Sequence, residues 1–337
     1  MNSSEKIKNF ILDNISKHKR DIIHTSIEHF GVSRQAIHKH MNSLIKDHKV
    51  TAYGTTKGRH YELMPTVNFV KSIDINNNFE AEKLLKEHVL PHLISLERNI
   101  LEIFEFSTGA LLNNISDHSS ASKFYYKLYI THQEAHFILS DNGIGIFEHI
   151  RQRLNLSKAR FAALELAKGQ VVTDIIDHSG DELNAVIHLF DKVKIDSTGM
   201  SLNFFNHNED WTLDHSTQNK GSRIHLQINP SSKRTCAEIF DFIFDSSKNN
   251  VRIPLKLLKD SRKLVINHRN HVDSVMRNIR DYENIEFDFK EIDLIGPAFA
   301  NELVRKAREK NRFAHIKWIN TNETVDLLMS RALNRQS

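Results

Sequence analysis

The sequence predicts a multidomain α+β protein, and three observations support that fold class. Residues 1–65 combine three helical apolar stripes with two short strands around a glycine-bounded turn. Residues 79–230 mix helical stripes with alternating strands, and from residue 255 onward strands and helices take turns along the chain. The length of 337 residues accommodates two or three such domains.

Composition excludes several classes of protein. A hydrophobic fraction of 39% supports packed cores, and no apolar run approaches the roughly 18 residues of a membrane span. No signal-peptide pattern follows Met1, and the single cysteine, Cys236, permits neither an internal disulfide nor a cysteine-based metal site. The 21 histidines are scattered without an HExxH pair. We therefore expect a cytoplasmic protein with no membrane partner.

Charge is distributed unevenly along the chain. Residues 1–62 contain 11 Lys and Arg against 6 Asp and Glu, whereas the whole chain has a net charge of +4, so the remainder is close to neutral. A basic first domain on a neutral body indicates nucleic acid as the partner at that end. A solvated charged surface is the other interpretation of this surplus.

The first domain begins with three predicted helices. The spacing of Ile7, Phe10, Ile11 and Ile15 predicts an amphipathic helix over residues 5–17, and a second helix is predicted over residues 20–30. Ser33 is a good N-cap for a third helix reaching about Asp47. Two strands are then predicted, over residues 49–53 and 59–63, with a hairpin tip at 54–58.

The segment GVSRQAIHKHMNSL at the turn before the third helix resembles a winged helix-turn-helix domain, and the resemblance covers residues 1–65. It implies DNA binding through the start of the third helix, which can reach major-groove edges, and through the hairpin, which can reach phosphate. The candidate DNA-binding residues are Ser33, Arg34, Gln35, His38, Lys39, Lys57 and Arg59. A helix-turn-helix used for protein contact is the alternative.

The middle of the chain is predicted to alternate helices and strands. We expect a connector over residues 65–78 and a helical stretch over 79–103 that kinks or restarts at Pro91. A helix with Asn114 and His118 on one side follows. The further predictions are strands at 123–130, 135–139, 191–195, 200–204 and 221–228, and a helix at 148–167.

A strand that ends in Asp141 runs into a turn containing Gly143 and Gly145. Glycine lets a backbone approach a ligand closely, and the carboxylate can accept from a donor such as a base amino group. Together with the Asn114 helix upstream, this turn resembles the G1-box and N-box of GHKL ATPases of the gyrase, histidine-kinase and MutL type. The resemblance covers residues 79–230 and implies a Bergerat-type α/β sandwich that binds ATP. Asp141 would then contact the adenine amino group, and Asn114 would help hold Mg²⁺ on the phosphates.

The resemblance adds four candidate nucleotide-binding residues: His118, Gly180 in a second glycine box, and Gly221 and Ser222 in a closing turn. Two departures weaken the implied activity. Glu182 stands where a second glycine is usual, and its carboxylate would repel a triphosphate. Ala110 stands where many hydrolysing members carry a glutamate base, and Glu105 is nine residues from Asn114. We expect weak ATP binding and assign no catalytic residue.

The last part of the chain is predicted to be a small sheet flanked by helices. Two polar hinges around a packing helix are expected over residues 231–250. The predicted strands are 262–266, 284–289 and 315–319, and the predicted helices are 272–280, 298–309 and 324–333.

The segments FDFKEIDLIGPAFANELV and INTNETVDLLM resemble a STAS-like domain, over residues 255–337. The resemblance implies a protein partner, although Ala298 lacks the hydroxyl that phosphorylatable relatives carry at this turn. The other interpretation is a domain that only packs or dimerises.

Three functions follow from this order of domains. The first is a bacterial DNA-binding transcriptional regulator, in which nucleotide or a protein partner shifts the arrangement of domains and so the spacing of DNA-binding helices in a homodimer. The second is a GHKL-type ATPase or protein kinase that acts on a partner protein. The third is an interaction scaffold that binds neither nucleotide nor DNA.

Overall fold

The computed structural model describes residues 2–75, 79–169, 181–246, 250–258, 265–266, 270–277, 279 and 282–336. It shows a mixed α/β multidomain protein, as the sequence predicts.

The N-terminal part folds as three helices and a hairpin. Its elements are α1 (Ser3–Asn14), α2 (Ile22–Phe30), α3 (Arg34–Lys46), β1 (Val50–Tyr53) and β2 (His60–Leu63). The two strands pair antiparallel. The N–H of Tyr61 donates to the carbonyl oxygen of Lys19 at 2.9 Å, which attaches the hairpin to the loop that connects α1 and α2. The buried residues of this part form a hydrophobic core of their own. The predicted helices and strands of residues 1–65 are thus confirmed.

The predicted connector over residues 65–78 is wrong, because a strand, β3 (Val67–Asp74), occupies most of it. It pairs along its whole length with β4 (Lys123–Ile130). Alternate side chains face inward, including Phe69 and Ile73, but Lys71 takes an inward position and Val70 is an exposed outward residue, so the apolar alternation typical of a strand is interrupted. Only Met64, Pro65 and Thr66 separate β2 from β3.

The predicted helix over residues 79–103 is also revised. The chain forms a single helical turn, α4 (Ala81–Leu84), a π-helical turn (Leu85–Val89) and a 3-10 turn (Leu90–His92) that contains Pro91. Proline cannot continue a regular helix, so a new one, α5 (Arg98–His118), starts seven residues after it. The helix that carries Asn114 therefore begins at Arg98.

The remaining elements of the central part are β5 (Ala135–Asp141), α6 (Ile146–Arg153), α7 (Ala159–Ala167), α8 (Asp181–Leu189), β6 (Lys192–Ser197), β7 (Met200–Phe205), β8 (Asp210–His215) and β9 (Ser222–Ile228). The strands form a seven-stranded antiparallel sheet in the order β3-β4-β5-β9-β6-β7-β8. The predicted strands are confirmed, whereas β8 was not predicted. The single helix predicted over 148–167 is two helices, with Asn155 at φ 48° between them.

The two faces of the sheet differ in composition. One face carries the buried apolar rows, such as Phe69, Leu128, Phe137, Leu226 and Val193, and contributes to the core under the helices. The other face carries the alternating polar residues, which are partly exposed. By this alternation the side chains of Asp141, Ser197 and Ser222 lie on the helix-covered face.

The elements of the C-terminal part are α9 (Cys236–Ser246), β10 (Asn250–Pro254), β11 (Val265–Ile266), α10 (Asn270–Met276), β12 (Asn284–Asp288), β13 (Leu294–Ile295), α11 (Pro297–Lys310), β14 (His315–Ile319) and α12 (Glu323–Asn334). Three of the strands form a parallel sheet in the order β10-β12-β14. The strand β10 and the short strand β13, which pairs with β11, were not predicted. Residues 262–264 of the predicted strand lie outside the described residues.

The central and C-terminal parts share one continuous hydrophobic core, separate from that of the N-terminal part. Ion pairs border this shared core: Lys256 reaches Asp210, and Arg252 contacts Glu209 at 3.1 Å. Because apolar burial and ion pairs act together here, these two parts form one packed unit.

Candidate functional site

The outer face of α3 is polar and free of packing against the rest of the N-terminal part. The side-chain oxygen of Ser33 accepts from the N–H of Ala36 at 3.2 Å, so Ser33 caps α3 as predicted. Arg34, Gln35 and Lys39 are exposed, and His38 is partly buried. The opposite stripe, which includes Ile37, is buried in the core.

The hairpin adds a second polar surface beside α3. Its tip is a 3-10 turn, Thr56–Gly58, and Arg59 follows it as an exposed residue whose guanidinium lies 5.3 Å from the ring centre of Tyr61. This cation–π contact holds the charged group near the hairpin surface. Lys57 lies in the turn, and its side chain is outside the described part of the structure.

The second candidate site is the turn that follows β5. Asp141 is buried, and its Oδ1 accepts from the N–H of Gly143 at 2.8 Å while its Oδ2 accepts from the N–H of Ser222 at 3.2 Å. The hydroxyl of Ser222 accepts in turn from the N–H of Ile146, the first residue of α6, at 2.8 Å. Burial raises the pKa of the Asp141 carboxyl, and the backbone donors Gly143 and Ser222 oppose that rise.

Three predicted glycines are brought together at this turn, and each is required by close approach of the chain to itself. A Cβ on Gly143 would lie 2.1 Å from the carbonyl oxygen of Ser119, and one on Gly145 would lie 2.4 Å from Oγ of Ser197. At Gly221, with φ 68°, a Cβ would lie 2.0 Å from the carbonyl oxygen of Asp141. The packing of the chain against itself therefore requires glycine at these three positions, whether or not a ligand binds.

The helix α5 ends against the same turn. The carbonyl oxygen of Ser119, which follows α5, accepts from the N–H of Ile144 at 2.9 Å. Asn114 is partly buried on the last turns of α5, and the ring of His118 lies 5.3 Å from that of His149 on α6. The structure thus places the end of the helix that carries Asn114 beside the Asp141 turn.

The other predicted parts of a nucleotide site contribute less. Gly180 lies outside the described residues, and Glu182 is in the first turn of α8. Ala110 is buried, whereas Glu105 is exposed on α5. Within the described residues, no group of three or more His, Cys, Asp or Glu side chains could hold a metal ion directly.

The residues present fit a nucleotide in part. A carboxylate oxygen has two lone pairs, so each oxygen of Asp141 retains acceptor capacity beyond its one backbone bond, and the two N–H groups fix its orientation. That arrangement suits a donor such as an adenine amino group. The glycines do not by themselves indicate a phosphate cradle, because the chain fills the space beside them.

Residues 273–326 match a STAS-like domain of unknown function, DUF4325. The prediction of a STAS-like C-terminal domain is confirmed for this segment, which runs from α10 into α12. No curated protein matches the chain. Among the described residues, no helix combines the length and apolarity needed to cross a bilayer.

Sequence reasoning missed two residues that build the Asp141 turn. The buried hydroxyl of Ser197 donates to the carbonyl oxygen of Gly221 at 3.1 Å, and the carbonyl oxygen of Ser119 anchors Ile144. The only sequence signal for Ser197 is its position at the end of a strand before a Thr-Gly turn. That position does not reveal which strand lies beside it.

Proposed function

We propose that this protein is a DNA-binding regulator that contacts duplex DNA through α3 and the adjacent hairpin. The observation that carries the proposal is the exposed polar face at the start of α3, with Arg34, Gln35 and Lys39, on a helix whose opposite stripe is fully packed. A helix with this division can enter the major groove without disturbing its own core. The exposed Arg59 on the hairpin would contact phosphate alongside.

The charges of this part support the same partner. Within the N-terminal part, Nζ of Lys8 lies 3.6 Å from Oδ2 of Asp47 at the C-terminal end of α3, and Lys19 pairs with Glu62 at 2.7 Å. The exposed Arg34 and Lys39 carry the positive charge that a phosphate backbone would neutralise. A surface intended only for apolar protein contact would not require two cations at the start of the helix.

The regulatory half of the proposal rests on the shared core. A ligand or partner bound to the C-terminal STAS-like segment would act on the central sheet, because the two parts are packed together. ATP with Mg²⁺ is the proposed ligand of the central part, bound weakly, with Asp141 on the base, Asn114 and His118 near the phosphates, and Gly221 and Ser222 closing the turn. When bound, the nucleotide would supply a charged group that favours one arrangement of the chain. We do not propose turnover, because the buried Ala110 offers no base.

DNA binding is tested by fluorescence anisotropy with a mixed-sequence labelled duplex across a salt series. We expect wild-type binding to weaken with salt, and we expect R34Q/K39Q to reduce the slope of log K against log salt by about two, because each phosphate contact contributes roughly 0.9. The matched control is R312Q/K317Q, which removes two exposed cations from the C-terminal part. Equal slopes in both double variants, or no binding by wild type, would contradict the proposal.

Nucleotide binding is tested separately by the melting temperature with and without Mg·ATP. We expect a rise in wild type that is absent in D141N. Ligand at 100 times its dissociation constant stabilises by about 2.7 kcal/mol, which such a measurement resolves. A rise that persists in D141N would remove Asp141 from the site, and no rise in either protein would leave DNA binding as the surviving part of the proposal.

A further inference from the structure

The outer face of the central sheet contains a cleft of about 280 Å³ near the ends of β5 and β9. Three cationic side chains and three hydroxyl groups contribute to its lining: Lys123, Lys220, Arg223, Ser72, Tyr125 and Ser140. Asp141 and Asn142, at the start of the glycine turn, are also in its lining. The alternation of β5 places the Asp141 carboxylate on the opposite, helix-covered face, where it accepts from the N–H groups of Gly143 and Ser222.

The strand register explains why these groups meet. Ser72, Tyr125, Ser140 and Arg223 are direct cross-strand neighbours in one row over β3, β4, β5 and β9. Adjacent strands are roughly 4.8 Å apart, so the row spans about 14 Å. Lys123 lies two residues before Tyr125 and therefore on the same face.

Arg223 is the residue whose bonding is incomplete. Its Nε is buried and has no hydrogen-bond partner within the described residues. The cross-strand carboxylate, Asp196, does not supply one: its Oδ2 lies 3.1 Å from Nζ of Lys194, and its Oδ1 is itself buried and unbonded within that same part of the chain. A buried donor without an acceptor costs free energy, so an anion in the cleft would relieve it.

The positive charges of the two lysines beside Arg223 are only weakly compensated by neighbouring carboxylates. Nζ of Lys123 is 3.7 Å from Oδ1 of Asp74, and both side chains are more than half exposed, which makes the pair weak. Lys220 is exposed in the loop before β9, where Gln218 donates to its carbonyl oxygen at 2.7 Å and fixes that loop. The lining of the cleft therefore contains three cations and one acidic residue, Asp141, whose carboxylate is already bonded to two backbone N–H groups.

We propose that this cleft binds a phosphate group, either free or as a phosphate monoester. The guanidinium of Arg223 can donate two parallel hydrogen bonds to phosphate oxygens, and the lysines Lys123 and Lys220 balance the second negative charge. The hydroxyls of Tyr125 and Ser140 can donate to the remaining oxygens, whereas the hydroxyl of Ser72 donates to the carbonyl oxygen of Phe124 at 3.4 Å. The volume exceeds what phosphate alone would fill, which leaves space for part of an attached group.

The test is isothermal titration of the full chain with inorganic phosphate and with ribose 5-phosphate, at ionic strength held constant with chloride. We expect saturable binding of at least one ligand and an affinity about tenfold or more lower in R223Q, because a hydrogen bond to a charged group is lost. Tighter binding of the ester assigns a phosphorylated metabolite, and equal affinities assign free phosphate.

Two further variants keep the test decisive. K220Q changes an exposed residue, so it should fold normally and bind several-fold more weakly. K127Q removes a cation from the same sheet face but outside the cleft lining, and it should bind like wild type. No saturable binding by wild type, or unchanged affinity in both R223Q and K220Q, would overturn the proposal.

Discussion

Nζ of Lys168 lies 2.8 Å from Oε1 of Glu165, and both side chains are almost completely buried. The same ammonium group donates to the carbonyl oxygens of Ser274, at 3.4 Å, and Arg277, at 3.1 Å. Lys168 follows α7, whereas Ser274 and Arg277 lie at the end of α10, so one cation joins the central part to the C-terminal part. A cation at a helix C-terminus is also favourable to the helix dipole.

The first prediction concerns this buried pair. K168M removes the cation that Glu165 faces, and breaking a buried ion pair in this way costs about 3–5 kcal/mol. We expect a corresponding fall in the free energy of unfolding, measured by urea denaturation. The double variant E165M/K168M should recover much of the loss, since apolar replacement of both partners is often neutral. Equal losses in the single and double variants would show that packing dominates.

The second prediction distinguishes two costs of replacing glycine at the Asp141 turn: the cost of a left-handed backbone conformation and the cost of a steric clash. Gly221 and Gly31 both have φ near 65°, but a Cβ on Gly31 would meet nothing within 4 Å. G31A should therefore cost only the left-handed penalty, about 1–2 kcal/mol. G221A adds a clash with the carbonyl of Asp141, and we expect a clearly larger loss of stability or failure to fold, compared by thermal unfolding. Similar losses would mean that the turn adjusts freely.

The third prediction concerns pH. Burial lowers the pKa of His225 to about 4 from 6.5, with His136, Lys192 and Lys194 acting in the same direction. Between pH 4 and 6.5 the unfolded chain binds a proton at this position and the folded chain does not, so the free energy of unfolding should fall as pH is lowered through that window.

The side chain of His225 is partly exposed, so solvent screening reduces the contribution of this one residue to the pH dependence of unfolding. We expect H225Q to flatten the dependence of the urea midpoint on pH between 6.5 and 4. H207Q, which changes an exposed histidine of the same part, should leave the dependence as it is. Identical pH profiles for wild type and H225Q would contradict the assignment.

The fourth prediction concerns the contact between the N-terminal part and the turn after β4. Nε2 of His132 lies 2.7 Å from Oδ1 of Asp13, and the side-chain amide of Gln133 donates to the carbonyl oxygen of Leu12 at 2.6 Å. These bonds are near the surface, so H132A/Q133A should change the free energy of unfolding by only about 1 kcal/mol. It should nevertheless accelerate thermolysin cleavage between residues 63 and 67, because the two parts separate more often. Unchanged cleavage would show that other contacts hold them together.

The sequence allowed prediction of elements whose pattern is local. The stripe of Ile7, Ile11 and Ile15 predicts α1 because its spacing reflects one buried face, and Ser33 identifies the start of α3 because an N-cap acts on its own helix. The strand β3 was not predicted because Lys71 takes an inward position and Val70 an outward one, which interrupts the alternation of apolar and polar residues.

The candidate site was predictable to the same extent. The resemblance to the GHKL boxes grouped Asp141 with Gly221 and with the Asn114 helix, and the structure brings Gly221 against Asp141 and the residue after that helix, Ser119, against Ile144. The reason that these positions require glycine could not be predicted. The atoms that crowd them belong to Ser119, Ser197 and Asp141, which are far along the chain or on another strand. Distances between segments remote in sequence are set by the fold, and no local pattern contains them.

Under the proposed function, the three-residue segment 64–66 restricts the spacing of the DNA half-sites that the protein can bind. Three residues reach roughly 10 Å when fully extended, so each α3 stays close to the edge strand β3. In a dimer, the two α3 helices could not move apart by stretching a tether, and the subunit contact would set the permitted separation of DNA half-sites. Inserting flexible residues at this segment should therefore broaden the range of half-site spacings that the protein accepts, without altering the bases that each helix prefers.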